Sequence, residues 1–120
     1  MQIAMIIYET PAELGRRADP DQVQAYWGAW TAYVQALGAT GFVTGGTGLQ
    51  PPAQATTLRL QNGQRLVQDG PFADTKEQLG GIFILEVPDL ETALDWAARC
   101  PAASAGSVEL RPCLPPMPQG

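Results

Sequence analysis

The residues with the clearest capacity for chemistry cluster around Asp69-Gly70-Pro71-Phe72 and the Lys76-Glu77 pair that follows it, with Tyr8 at the end of an N-terminal apolar run. Asp69 is the candidate acid-base centre. A solvated aspartate is a weak base at neutral pH, so proton transfer there requires desolvation, which Phe72 and an apolar mouth around it would supply. Lys76 and Glu77 have the charges to hold a ligand, and the Tyr8 hydroxyl would reach the same mouth. Each of these has a plainer reading. Asp-Gly-Pro after a strand is turn chemistry, adjacent opposite charges suit a solvated loop, and a tyrosine suits the edge of a core.

Other site chemistries are excluded by residue type. The chain has no histidine and two cysteines, Cys100 and Cys113, so no Cys/His set for a structural zinc exists and no metal site is expected. Gly45-Gly46-Thr47-Gly48 lacks the lysine of a phosphate loop and the later glycine of a dinucleotide fingerprint, so it reads as turn geometry. Seven basic against twelve acidic residues give a net charge of -5, which disfavours nucleic acid and anionic membranes as direct partners. Arg16-Arg17, the one local basic spot, reads as a solvated loop. No apolar run nears the roughly 20 residues of a membrane span, and the N-terminus lacks a signal peptide's basic start, so a cytoplasmic protein is expected.

At 120 residues the chain fits one domain, read as 1–114, followed by a proline-rich tail at 115–120. Ile3, Met5 and Ile7 alternate with Ala4, Ile6 and Tyr8, so the first strand is apolar on both faces and central. Asp19-Pro20 reads as a helix start and Gly38 as its close. Between them Val23, Tyr26, Trp27, Trp30, Tyr33, Val34 and Leu37 form a stripe that could serve as a ligand platform but at this period reads as core. A short strand in Gly41–Gly46 precedes a glycine-rich turn through Thr47 and Gly48. Thr57–Gln61 and Gln64–Gln68 flank Asn62-Gly63, a strong hairpin signal. Ile82–Val87 is a second central strand, with Gly80-Gly81 before it suggesting a bulge or a close backbone approach. Asp89 caps a helix with Leu90, Ala93, Leu94, Ala97 and Ala98 inward, and Ser107–Arg111 is the last strand.

This order is an α+β, ferredoxin-like βαββαβ plan with an extra β-hairpin. Two helices cover one face of such a sheet. The other face is equally apolar, so pairing two sheets predicts a homodimer with a shared barrel. The same topology separates Cys100 from Cys113 by the length of the last strand, too far for a disulfide.

Gly46-Thr47-Gly48-Leu49-Gln50-Pro51-Pro52, then Asp69 through Gly81, Glu86-Val87-Pro88-Asp89-Leu90 and Gly106 through Pro112 together resemble the YCII-related family, in the branch named for its DGPF motif. The resemblance implies a dimeric α+β barrel, and a small-molecule site within it needs no cofactor. It also implies association with an extracytoplasmic-function sigma factor, beside or fused to which members of this branch are often encoded. The founding branch carries a histidine and aspartate pair suggestive of acid-base chemistry, and that dyad cannot operate in a chain with no histidine. Haem- or oxygen-linked activity, as in other dimeric α+β barrels, is weakened for the same reason. Two functions follow as expectations. One is a small-molecule binding protein or enzyme with a pocket at Tyr8, Asp69, Phe72, Lys76 and Glu77. The other is a regulatory or interaction module working with a sigma factor.

Overall fold

A computed structural model describes residues 1–117. In chain order its elements are β1 (Gln2–Glu9), α1 (Pro11–Gly15), a 3-10 turn (Arg16–Ala18), α2 (Val23–Ala39), β2 (Val43–Gly48), a second 3-10 turn (Pro52–Gln54), β3 (Thr56–Gln61), β4 (Gln64–Asp69), β5 (Gln78–Glu86), α3 (Leu90–Ala98), α4 (Ala102–Ala105) and β6 (Ser107–Pro112). The order β2-β5-β1-β6 makes one antiparallel sheet, while β3 and β4 pair only with each other. With that hairpin set aside, the plan is the ferredoxin-like βαββαβ read from the sequence. Of the expected tail at 115–120, residues 118–120 lie outside the described residues.

Alternation in β1 sets the layers. Ile3, Met5 and Ile7 point to the helices and are buried with Leu85, Val87, Tyr33, Leu37, Ala93 and Ala97. Burying each such large aliphatic side chain contributes about 1.5–3 kcal/mol. Tyr33 reaches across this core, and its hydroxyl donates to the Trp96 carbonyl at 2.8 Å. Ala4, Ile6, Ile82 and Ile84 share the opposite face by register and lie outside the buried core. The whole molecule is 18 Å deep along its shortest axis, the depth of one helix layer on one sheet.

Several local boundaries differ from the sequence reading. Thr10 caps a short helix that the sequence reading did not include, α1, by accepting the Glu13 N–H at 3.2 Å, with Pro11 in the first turn. Asp19 does not cap α2 directly. Its carboxylate takes the Asp21 N–H at 2.9 Å and the Gln22 amide at 2.7 Å, closing a lead-in turn, and the helix begins at Val23. Nor does Gly38 end that helix, which runs to Ala39; Gly41, at φ +77°, makes the left-handed exit. The predicted turn at Thr47-Gly48 is instead the end of β2. Glycine lets that strand press against β5, since a Cβ at Gly46 would stand 2.3 Å from the Ile82 carbonyl oxygen.

Other expectations hold. Asn62 at φ 52° and Gly63 at φ 75° form the tight hairpin turn. Asp89 caps α3 through the Thr92 N–H at 2.8 Å, and the Thr92 hydroxyl and N–H together hold its carboxyl below the usual carboxylate range. Both cysteines are free.

Gly46 combines a φ of +136° with backbone contact on its open side, so Gly46→Ala is expected to lose about 2–4 kcal/mol of unfolding free energy. Urea titration followed by circular dichroism measures the loss.

Candidate functional site

The period-two pattern of β1 does not stop at Ile7. Glu9 is the next inward residue, and it is 2% exposed. A carboxylate taken out of water must be paired and hydrogen-bonded, and the fold brings partners from separate segments. Arg17, from the first 3-10 turn, donates from Nη2 to Glu9 Oε2 at 2.7 Å. The Tyr26 hydroxyl, from the first turn of α2, donates to Glu9 Oε1. Arg17 Nε in turn donates to Tyr26 Oη at 3.0 Å, and Arg17 Nη1 to the Leu49 carbonyl at 2.8 Å.

The guanidinium also lies 5.5 Å from the Tyr26 ring centre and 5.1 Å from that of Trp27, within cation–π range. Gly80 completes the seat. It is the extra residue where the β1–β5 register shifts, and a Cβ there would come within 2.4 Å of Glu9 Oε2. Burial, reinforced by the bond to Glu9, pushes the Tyr26 phenol up to about 12.

Glu9, Arg17 and Tyr26 lie in the wall of an open cavity of about 1050 Å³ between α2 and the glycine edge of the sheet. The aromatic stripe of α2 therefore divides. Tyr26, Tyr33 and Leu37 are core as expected, whereas Trp27 and Val34 are each 46% exposed and line the cavity with Trp30. Gly46 and Gly48 face them from β2, and no side chain there fills the space.

The residues singled out in the sequence sit elsewhere. Tyr8, Phe72 and Glu77 line a second cavity of about 540 Å³, with Leu79, Thr57 and Gln78 also in its lining. Tyr8 points away from the helices and donates to Glu109 Oε1 at 3.1 Å; burial and that bond raise its phenol pKa. Glu77 Oε1 accepts the Ser107 hydroxyl at 2.8 Å. Asp69 and Lys76 are exposed and line neither cavity.

Asp69 ends β4 opposite Thr56, and Gly70 turns the chain at φ +103°. The Gly70 N–H donates to the Ala55 carbonyl at 2.7 Å and its own carbonyl accepts the Thr57 hydroxyl at 2.9 Å, which is the turn geometry. Phe72 is 73% exposed, with the Arg59 guanidinium 5.0 Å from its ring centre. It does not cover Asp69.

The buried cluster was not anticipated. Arg17, read as part of a solvated loop, has a side chain only 13% exposed. The available signal was Glu9 itself, in phase with Ile3, Met5 and Ile7. Among the described residues no group of three His, Cys, Asp or Glu side chains is placed to hold a metal ion.

Residues 1–116 match the YCII-related domain family. An uncharacterised protein of Rhizobium meliloti (strain 1021) is 47% identical over 66 residues, which cover 53% of this chain and 53% of that protein. The match thus spans about half the length of that relative. Among solved structures, the 5-chloro-2-hydroxyhydroquinone dehydrochlorinase of Burkholderia phenoliruptrix AC1100, in complex with 2,5-dihydroxybenzoquinone, superposes with a TM-score of 0.55 at 17% identity, over 95% of this chain and 94% of that one. That likeness supports the ferredoxin-like α+β fold.

Arg17→Met leaves the Glu9 carboxylate buried without its cation and is expected to cost about 3 kcal/mol of stability in urea titration. Alkaline pH tests Tyr26. Because its phenol is held neutral in the fold, its contribution is complete below pH 10.0 and is lost as pH rises from there towards about 12. Urea midpoints measured from pH 8 upward should fall past pH 10, and less steeply in Tyr26→Phe.

Proposed function

The chain belongs to the YCII-related domain family, and from that premise we propose that it is a cytoplasmic, small-molecule-binding homodimer whose ligand enters the cavity between Trp27, Trp30 and the glycine edge of β2. The observation that carries this reading is Glu9, a buried carboxylate in the wall of a large, partly aromatic cavity. Its volume is that of a site for a drug-sized molecule. Tyr26 and Arg17 occupy one direction on each Glu9 oxygen and leave acceptor capacity for a hydroxyl or amine of a ligand. If the site performs proton transfer, Glu9 is the group that holds or accepts the proton, and Tyr26 and Arg17 position it. Asp69 is in this reading a turn residue.

The homodimer rests on the sheet face that the helices leave uncovered. A planar ring suits the Trp27 and Trp30 walls, and the dehydrochlorinase of like fold holds such a ring in 2,5-dihydroxybenzoquinone. Partnership with an extracytoplasmic-function sigma factor is the rival reading. It requires no ligand in this cavity.

Thermal-shift assays with hydroxylated aromatic rings and quinones provide the test. A compound at about 100 times its Kd stabilises the fold by about 2.7 kcal/mol, a rise of several degrees in Tm. The shift should disappear in Trp27→Ala, whose side chain is half exposed, and diminish in Glu9→Gln. A panel without any shift, or a shift undiminished in Trp27→Ala, overturns the assignment.

A further inference from the structure

Two apolar surfaces have no partner among the described residues. One is the sheet face opposite the helices, where Ile6 stands beside Ile82, and Ala4 beside Ile84. Charged residues border it: Glu109, opposite Ile6 in register, pairs with Arg111, opposite Ala4, and Glu86 at the end of β5 pairs with the N-terminal ammonium. The other is one side of the β3–β4 hairpin. Leu58 pairs with Val67 and Leu60 with Arg65, which puts three aliphatic side chains and an arginine on a single face. Leu58, Leu60 and Val67 are 52%, 71% and 60% exposed. Among the described residues Arg65 forms no ion pair. A two-stranded hairpin with nothing against it is marginal in water.

These surfaces match in character. Aliphatic residues on the hairpin meet aliphatic residues on the sheet, Arg65 comes to a border where Glu86 and Glu109 stand in exposed ion pairs it can join, and a two-fold dimer uses each pairing twice. The smaller cavity lies between them, because Tyr8 and Leu79 reach it from the sheet while Thr57 and Phe72 reach it from the hairpin and its exit loop. Whatever covers the sheet face also covers the mouth of that cavity.

Resting on the homodimer reading above, we propose that the hairpin of each copy lies across the open sheet face of the other, and that the Tyr8–Phe72 cavity is thereby closed into a chamber shared by two subunits. The hairpin is a clasp, and the DGPF loop at its base lines the chamber.

Light scattering and amide hydrogen exchange on the full chain test this together. Wild type should have twice the chain mass, with slow exchange across residues 71–79. Leu60→Glu alters a side chain that is 71% exposed and places a charge in the apolar contact. It should keep its circular dichroism spectrum, become monomeric, and exchange roughly tenfold faster at 71–79. A monomeric wild type overturns both the homodimer and the clasp. A dimer that persists in Leu60→Glu, with exchange at 71–79 unchanged, overturns the clasp and leaves the homodimer standing.

Discussion

A single charge at the inward end of the central strand dictates much of the local structure around it. Glu9 occupies a position that alternation reserves for an apolar side chain, and desolvating a lone carboxylate there would cost several kcal/mol. The chain meets this by directing Arg17, Tyr26 and Gly80 at one carboxylate, with the Leu49 carbonyl holding the far side of the guanidinium. Four connections, the segment after β1, the start of α2, the exit of β2 and the bulge of β5, are thereby tied to one point. Short elements that would otherwise fray have a shared anchor.

The same cluster explains why a cavity lies where a core is expected. With Tyr26 drawn inward to Glu9, the next residue of α2, Trp27, turns outward over Arg17. Trp30 and Val34 follow on that side of the helix and look across at β2. That strand carries glycines because its close approach to β5 excludes larger residues at Gly46. Aromatic side chains on one wall and bare backbone on the other leave the space between them open.

The sequence conveyed the fold more completely than the site. Alternation in Ile3–Ile7 and Ile82–Val87, the Asn62-Gly63 turn and the Asp89 cap are local signals with one structural meaning each, and the sheet and its helices follow from them. The site depends on pairings over distance. Arg17 stands next to Arg16 in the chain and looks equally solvated, and only the path of the short helix before it delivers one of the two to Glu9. The prominence of Asp69-Gly70-Pro71-Phe72 in turn reflected backbone geometry at Gly70 as much as side-chain chemistry, which is why Asp69 stands apart from both cavities.

The glycine edge of β2 also bears on how such a cavity changes in shape among related chains. Gly46 and Gly48 both face α2, but a methyl group at Gly46 collides with backbone, whereas one at Gly48 meets nothing within 4 Å. Position 46 is therefore closed to substitution, and position 48 is open to it. Larger residues at 48 would narrow the cavity beside Leu49 and the Arg17 anchor without disturbing the pairing of the sheet. The shape of the cavity is thus adjustable one residue at a time, at a place where an added Cβ meets no neighbour.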